Sequence, residues 1–479
     1  MKIFDSYPQV LLVCQAFLTL QIFVMKQSIN LTTTLVLFNL IILASCQKEK
    51  HPDFNNEPET ATSRFDNNGN GFGNVSAEMV LRWNQAAIYV ELNTPRTAPN
   101  PPIFPFVESR YYAMVNIAMH DALNNIVPKY QSYALNARDK DADPDAAVAQ
   151  AAFDVITYFY GKLNLPMYPS QAVKDYINDL LVQSLAGIEN GEAKTKGIAL
   201  GQAAAQAIIQ NRNDDGVANI LTPAVVSGTL PGEYRLTLPF YAAPGWGNVK
   251  TFGLPSSTYF TVPPPYSINS SEYTEDYNEV KSLGRFNSAA RTADQTDIAR
   301  FWVENTPFGW NKIAYKIMEQ KNLDAWKTAR LLALLQISEA DAYIACLKAK
   351  ITHYFWRPVT AIREGDNDGN PNTTGDAGWE VLVAPTPPIA DHPSGHATAG
   401  GAAAELLKQF LDKDDFSFTF ESTTLPGKTR SFNSLSQAAR ENSLSRIYVG
   451  YHFRKACMDG EALGKSIGDW IATHSLTEN

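Results

Sequence analysis

Cysteine is scarce in this chain of 479 residues, which contains only four. Cys46 follows an apolar stretch near the N-terminus, and Cys346 and Cys457 lie in the last third of the chain. Two cysteines cannot form a disulfide framework, so we expect both to be buried as small apolar side chains. The sequence does not exclude a single bridge between them.

The chain also lacks an excess of basic residues. It has 40 Lys and Arg against 49 Asp and Glu, which gives a formal net charge of −9. This acidic balance argues against general nucleic-acid binding. A composition of 45% hydrophobic and 19% charged residues is typical of a globular protein with a large core. A local cluster of cations therefore stands out against an acidic background.

Long apolar runs occur near the N-terminus, over residues 10–25 and 30–43. The second run follows Met25-Lys26, is short for a membrane span, and leads into Leu43-Ala44-Ser45-Cys46. This pattern resembles a bacterial lipoprotein signal over residues 1–46, with Met25 as the true start and Cys46 as the lipidated residue. A plain membrane anchor and a cleaved secretory signal are the alternatives. We expect an exported protein, anchored to the bacterial cell envelope by lipid or secreted.

Helical spacing of apolar residues dominates the chain after a polar stretch, 47–75, that reads as a flexible tether. Strand-like alternation is scarce, and the spans 212–270 and 363–393 look irregular. The sequence predicts an all-α fold of two related helical bundles with long irregular connections and few short strands. The predicted domains are an N-terminal bundle with an irregular span (76–270) and a C-terminal bundle carrying the active site (271–479). Helices are predicted over about 76–92, 108–126, 145–163, 169–187, 191–211, 291–304, 308–321, 325–349, 395–412, 434–447 and 457–473.

An internal repeat supports the two bundles. The pattern R-x2-A-x3-I-x3-D-A begins at Arg110 and again at Arg330. The pattern G-x-A-L-G begins at Gly197 and again, in the same order, at Gly460. Chance agreement between alanine-rich helices is the alternative, but the shared helical face favours a duplicated bundle.

Three motifs in the last third of the chain could together hold a tetrahedral oxyanion. They are K-x6-R-P from Lys350 to Pro358, P-S-G-H from Pro393 to His396, and S-R-x5-H from Ser445 to His452. Alone, Lys350 would be a solvated helix-end cation and His452 a satisfied core histidine. In combination they supply three fixed positive charges, neutral donors and two imidazoles.

The P-S-G-H motif opens an alanine- and glycine-rich helix. A helix start leaves free N–H groups that suit an anion, and Gly395 lets the backbone approach closely. Ser394 would donate its hydroxyl to the anion, or serve only as a helix N-cap. His396 would sit beside the anion in the first turn. A zinc site using His392 and His396 is disfavoured, because Pro393 and Ser394 place His392 before the helix begins.

With these motifs the chain resembles the vanadium-dependent haloperoxidases and the type 2 phosphatidic-acid phosphatase superfamily that shares their site. The resemblance is strongest to a bacterial secreted branch and spans most of residues 75–475. It is carried by the three motifs, by Phe355-Trp356-Arg357-Pro358-Val359-Thr360-Ala361-Ile362-Arg363 and by Pro244-Gly245-Trp246-Gly247.

The resemblance implies a role for each motif residue. Lys350, Arg357 and Arg446 would bind the oxygens of vanadate, and Ser394 and the Gly395 N–H would donate hydrogen bonds to them. His452 would ligate vanadium, and His396 would act as acid–base group. Lys350, His396 and His452 are thus the expected catalytic residues. Hydrogen peroxide would oxidise a halide to a hypohalous-acid equivalent, which then halogenates a small organic acceptor.

One position departs from the pattern of many relatives, which carry an Asp four residues after the axial histidine. Here that residue is Ala456, and the nearest acid in the sequence is Asp459. The partner of the His452 ring therefore stays open. The residues before Ser394, among them Ile389 and His392, do not decide between chloride, bromide and iodide.

Two other functions remain open. In an acid phosphatase of the same superfamily, His452 would attack phosphorus and His396 would protonate the leaving group. A surface lipoprotein without enzymatic activity could bind an anion or a partner through the span 212–270. An integral-membrane lipid phosphatase is disfavoured, because the C-terminal helices are not apolar enough to span a bilayer.

Overall fold

Helices carry nearly all the regular structure in this computed structural model, which describes residues 75–95, 104–160 and 167–479. Strands β1 (Asp415–Glu421) and β2 (Thr429–Ser434) pair as an antiparallel hairpin. Within these ranges the α-helices are α1 (Glu78–Asn93), α2 (Pro105–Asn124), α3 (Pro144–Tyr158), α4 (Gln171–Ala186), α5 (Glu192–Asn211), α6 (Ser271–Leu283), α7 (Ala293–Phe301), α8 (Thr306–Lys321), α9 (Ala325–His353), α10 (Pro358–Arg363), α11 (Gly395–Leu411), α12 (Leu435–Tyr448) and α13 (Arg454–His474).

The predicted all-α class is confirmed, and each of the eleven predicted helices has a counterpart. The sequence reading missed α6 and the short α10. It also missed the hairpin, although Phe416, Phe418 and Phe420 alternate with exposed residues along β1 and bury one face of it. The predictions for the signal region and nearly all of the tether concern residues 1–74, outside the described part of the chain.

The internal repeat is visible in equivalent side-chain roles. Asp121 on α2 accepts hydrogen bonds from the backbone N–H groups of three consecutive residues, 133–135. Asp341 on α9 does the same for residues 252–254. In both copies of the motif, therefore, a buried carboxylate fixes a loop to the helix that carries it. The loops differ in sequence position, because residues 133–135 follow Asp121 closely and residues 252–254 come far before Asp341.

The second repeated motif brings two pairs of helices into close contact. A Cβ added at Gly201 on α5 would lie 2.4 Å from the Ala147 carbonyl oxygen on α3. A Cβ added at Gly464 on α13 would lie 2.0 Å from the Thr398 carbonyl oxygen on α11. The absence of a side chain therefore sets the distance between helices in both bundles.

The long helix α9 lies between the two bundles. It packs against α2 on one side and against α11 on the other, and residues from 75 onward cluster as one compact unit. None of the helices in the described ranges combines the length and hydropathy that a membrane crossing requires. The active-site motifs all lie in loops and helix ends around α9, α11 and α12.

Candidate active site

Lys350 lies in the last turn of α9 and is fully buried. Its Nζ donates to the carbonyl oxygens of Ala390 and Asp391, both at 2.7 Å. Burial, with a smaller contribution from nearby Arg357, lowers the pKa of Lys350 to about 7. Such a lysine is poised to regain its full charge beside an anion.

Arg357 is the N-cap of α10, where Pro358 occupies the first helical position. Its backbone is extended, which is the conformation that a following proline favours. The side chain points inward, where Nε donates to the Ile389 carbonyl oxygen at 2.7 Å and Nη1 to the Tyr451 carbonyl oxygen at 2.8 Å. These bonds hold the guanidinium in one orientation at 1% exposure.

Ser394, Gly395 and His396 form the start of α11. Ser394 is the N-cap, and its Oγ accepts from the Ala397 N–H at 3.4 Å, so its capping role is real. The first helical backbone bond runs from Thr398 N to Ser394 O, which leaves the N–H groups of Gly395 and His396 without partners inside the helix. A Cβ at Gly395 would meet the Tyr343 ring at 3.3 Å, so the site favours glycine.

His396 sits in the first turn of α11 as expected. Its Nε2 lies 3.2 Å from the Glu304 carbonyl oxygen, and its own carbonyl accepts from Asn442 at 3.0 Å. Burial, with Arg446 adding to it, holds the pKa of His396 well below the ordinary value. The ring is therefore neutral, and Nε2 carries the proton because a carbonyl can only accept.

Arg446 is in the last turn of α12, and its guanidinium stacks over the Tyr451 ring at 4.9 Å. Nη1 donates to the Trp302 carbonyl oxygen at 2.9 Å, whereas Nε is buried without a hydrogen-bond partner. Burial lowers the pKa of Arg446 to about 10. An unpartnered buried donor is costly and points to a ligand that would accept from it.

His452 follows the end of α12, where Gly450 adopts a positive φ of 87°. That left-handed turn lets the chain fold back, so that the His452 N–H reaches the Arg446 carbonyl oxygen at 3.3 Å. Nη1 of Arg357 lies 3.0 Å from His452 Nε2. Burial and the neighbouring cations Arg357, Lys350 and Arg446 hold the pKa of His452 well below its ordinary value.

Asp391 is the functional residue that the sequence reading missed. Its Oδ1 lies 2.9 Å from His452 Nδ1 and 3.9 Å from Nη1 of Arg357. Because a guanidinium only donates, His452 Nε2, the ring nitrogen nearer to Nη1 of Arg357, accepts from it. Asp391 Oδ1 is close to Nδ1 but makes no hydrogen bond to it in this structure. The side chain is buried, which raises its pKa to about 7, although Arg357 and Lys350 favour the ionised form.

Asp459, the nearest acid in sequence, is not the partner of His452. It pairs with Lys455 at 2.8 Å and lies 3.5 Å from His392. His392 in turn has its Nε2 2.9 Å from the Pro263 carbonyl oxygen, away from the ring of His396 and its Glu304 contact. The sequence did contain a feature that could have identified Asp391, since it is a lone acid two residues before the P-S-G-H motif.

All seven predicted site residues therefore meet in one buried cradle, which consists of Lys350, Arg357, Ser394, Gly395, His396, Arg446 and His452. Lys350, Arg357 and Arg446 all lie close enough to His452 for their charges to lower its pKa. Cys346 and Cys457 are buried beside the cradle and are both free, so no bridge joins them.

Comparison with known proteins agrees with this geometry. The family described as the VCPO second helical-bundle domain matches residues 330–477. Vanadium chloroperoxidase from Curvularia inaequalis is 24% identical over an alignment 487 positions long, which covers 78% of this chain and 78% of the other.

Solved structures show the same fold. A bacterial vanadium-dependent iodoperoxidase superposes with a TM-score of 0.71 at 24% identity, over 85% of this chain and 99% of the other. Bacterial vanadium-dependent chloroperoxidase superposes in its apo and holo forms with TM-scores of 0.61 and 0.59 at 16% identity, over 80% of this chain and 96% of theirs. The resemblance to vanadium-dependent haloperoxidases is confirmed.

Proposed function

We propose that this chain, which resembles the vanadium-dependent haloperoxidases in fold and in its C-terminal bundle, is a vanadate-dependent haloperoxidase. It would use hydrogen peroxide to oxidise a halide to a hypohalous-acid equivalent. One observation carries the proposal: the buried cations Lys350, Arg357 and Arg446 surround His452 with a single carboxylate, Asp391, among them. Buried like charges are unfavourable unless an anion compensates them.

The donors present fit vanadate. Arg446 Nε is buried and unpartnered, and the N–H groups of Gly395 and His396 have no helical acceptor. Three cations suit a highly charged tetrahedral oxyanion, and the neutral imidazole of His452 offers an Nε2 lone pair to its central atom. Lys350, Arg357, Arg446, Ser394 and Gly395 would hold the oxygens, with His452 as the vanadium ligand.

Bound vanadate would supply Lewis acidity that activates peroxide without a change of oxidation state. The protein's own contribution is preorganised charge, since backbone carbonyl oxygens already fix Arg357 and Lys350 in place. Asp391 is the carboxylate next to His452 Nδ1. Arg357 Nη1 donates to Nε2 in this structure, so Nε2 would exchange this hydrogen bond for vanadium when the anion binds. Burial excludes water from the cradle.

His396 would be the acid–base group. Its Nε2–H donates a hydrogen bond to the Glu304 carbonyl oxygen. The lone pair on Nδ1 is therefore the position at which the ring can accept a proton. The low pKa caused by burial keeps the free imidazole in its basic form at neutral pH. The ring can then accept a proton from peroxide and return it to the departing oxygen.

The test is a direct assay of purified protein with and without orthovanadate. Oxidation of iodide, bromide and chloride would be followed with hydrogen peroxide, beside hydrolysis of p-nitrophenyl phosphate. Halide oxidation that requires vanadate is the expected result. Absence of peroxide-dependent oxidation with all three halides after vanadate loading would overturn the proposal.

An acid phosphatase is the second candidate, and one observation favours it. Asp391 supplies at 2.9 Å the carboxylate that a nucleophilic histidine would need, which the sequence seemed to lack at Ala456. The relatives named for chloroperoxidase and iodoperoxidase activity favour the peroxidase. Phosphate-ester hydrolysis that vanadate inhibits, without halide oxidation, would decide for the phosphatase.

We also propose that a small organic molecule is the halogen acceptor.

We further propose that the protein is exported and anchored at the bacterial cell envelope through a lipidated Cys46. The support for this anchor is the stretch from Met25-Lys26 to Leu43-Ala44-Ser45-Cys46. Metabolic labelling with a fatty acid should mark the wild-type protein and leave Cys46→Ala unlabelled. Labelling that persists in the variant would contradict lipidation at this cysteine.

A further inference from the structure

A short segment between α7 and α8 supplies two of the contacts that orient the cradle. The Trp302 carbonyl oxygen accepts from Nη1 of Arg446 at 2.9 Å, and the Glu304 carbonyl oxygen accepts from Nε2 of His396 at 3.2 Å. Residues 302–304 thus hold a predicted cofactor-binding arginine and the predicted acid–base histidine at the same time. Neither contact uses a side chain of the segment, so the backbone itself must be kept in place.

The side chain of Glu304 keeps that backbone in place. It is buried, and its Oε2 lies 2.7 Å from Nζ of Lys312 on α8. Its Oε1 accepts from the backbone N–H of Thr423 at 2.7 Å and from the Thr423 hydroxyl at 2.8 Å. A buried carboxylate with these partners has little freedom to rotate.

The loop of the hairpin reinforces the same segment from outside. Ser422 donates its hydroxyl to the Phe301 carbonyl oxygen at 2.7 Å, and Thr424 donates to the Arg300 carbonyl oxygen at 2.8 Å. The hairpin thereby fixes the end of α7 and Glu304 together. This gives a function to an element that makes no contact with the cradle through its own side chains.

We propose that Glu304 is a positioning residue, which fixes the orientation and the Nε2–H tautomer of His396 by holding its own carbonyl oxygen against the ring. Lys312 and the Thr423 loop act through Glu304. The consequence is that His396 Nδ1, for which the described part of the chain shows no hydrogen-bond partner, keeps its lone pair available to accept a proton. The inference rests on the acid–base role of His396 within the proposed function.

The double variant Glu304→Gln with Lys312→Met tests this directly, because it removes the ion pair without leaving a buried charge. The matched control is Glu405→Gln with Lys408→Met, which removes an ion pair on α11 itself, the helix that carries His396. Lys312→Arg keeps the pair with Glu304 and should retain wild-type behaviour. Thr423→Val, at an exposed loop position, is a second variant that should fold even where the double variant does not.

The first measurement is nitrogen NMR of histidine-labelled protein without vanadate, with the His396 signals assigned from a His396→Gln variant. Protonated and bare ring nitrogens give different shifts. The wild type should show Nε2–H, and the Glu304/Lys312 variant a mixture of tautomers. This measurement requires no enzymatic activity, so it stays informative where the proposed function fails.

The second measurement is steady-state halide oxidation by the vanadate-loaded enzyme. In the Glu304/Lys312 variant we expect kcat to fall by about 3- to 100-fold, since small misplacement of an acid–base group has effects of this order. The halide KM should stay within about two-fold. Vanadate affinity should fall less than kcat, because only one of the vanadate-binding side chains, Arg446, is held by the same segment. The positioning role would be overturned if the Glu304/Lys312 variant kept the wild-type tautomer and the wild-type kcat. It would also be overturned if kcat fell only as far as the lower melting temperature of the variant explains.

Discussion

Nη1 of Arg357 lies 3.0 Å from Nε2 of His452, the nitrogen expected to ligate vanadium. The arginine therefore occupies the position from which it could also neutralise an oxygen bound next to that nitrogen. Vanadium binding at Nε2 would replace this contact, and the carbonyl oxygens of Ile389 and Tyr451 would keep the guanidinium beside the ring, within reach of an oxygen of the anion. The first prediction concerns the histidine of this pair.

Replacing His452 with alanine should abolish vanadate binding and halide oxidation while the fold is retained. The ring is buried among the cations Arg357, Lys350 and Arg446, and we expect its loss to lower the free energy of unfolding by about 1–2 kcal/mol. Vanadium content after dialysis and circular dichroism would measure the two effects. Full turnover by His452→Ala would remove the residue from its proposed role.

Asp391→Asn should weaken the orientation of the His452 ring, because the amide no longer provides a carboxylate beside Nδ1. Loss of such an outer partner typically reduces metal affinity or activity by about 10- to 100-fold. Asp459→Asn is the matched control, since Asp459 pairs with Lys455 instead. Vanadate titrations of both variants decide the matter, and equal losses would contradict the special place of Asp391.

The glycines of the repeat should be intolerant of a methyl group. Gly464→Ala forces a Cβ against Thr398, and Gly201→Ala forces one against Ala147 in the other bundle. Each should lower the free energy of unfolding by about 1–3 kcal/mol or more through overpacking. Gly187→Ala, whose Cβ would meet atoms only at 3.9 Å and beyond, is the control for urea unfolding. A tolerated methyl at both positions would refute the shared close packing.

Asp276 on α6 should make stability depend on pH. Its Oδ2 accepts from the Lys455 N–H at 2.8 Å, and burial raises its pKa to about 6. The folded protein thus keeps a proton that the unfolded chain releases near pH 4. The stabilisation is complete below about pH 4 and is lost as pH rises to about 6.

Asp276→Asn stays neutral and does not undergo this loss. Its stability relative to wild type should therefore rise by about 1–3 kcal/mol between pH 4 and pH 6 and stay constant above. Urea unfolding at several pH values would measure the difference. Glu275→Gln, at an exposed position on the same helix, should run parallel to wild type. A parallel curve for Asp276→Asn would count against the raised pKa.

Helical periodicity was enough to predict the class of the fold and most of its helices. The elements that it missed have weak or conflicting signals. Helix α10 has six residues, and α6 is rich in polar side chains, with Asp276 buried among the apolar residues Tyr273, Tyr277 and Val280. The hairpin was missed because β1 is followed by a loop of seven residues rather than a two-residue turn, which hides the pairing.

The motifs of the cradle could be recognised in the sequence because each contains at least two side chains that can bind an anion or move a proton, at short spacing. Asp391 was missed for the opposite reason, as a single acid whose importance depends on a partner far along the chain. Glu304 is more extreme, because its contact with His396 is made by a backbone oxygen that every residue has. A pattern of residue types carries no information on which carbonyl will face a ring.

The carboxylates Asp121 and Asp341 have the same structural role in the two copies of the repeat, but only the second copy is followed by the residues of the cradle. Each anchors a loop in the same manner, yet at the place that Lys350 occupies in the second copy the first has Tyr130, stacked under Arg330 at 4.9 Å. The first copy thus contributes none of the seven residues of the cradle, and its helix α2 packs against α9. Random substitution should accordingly be tolerated more widely on α3 to α5 than on α11 to α13, wherever packing volume is preserved.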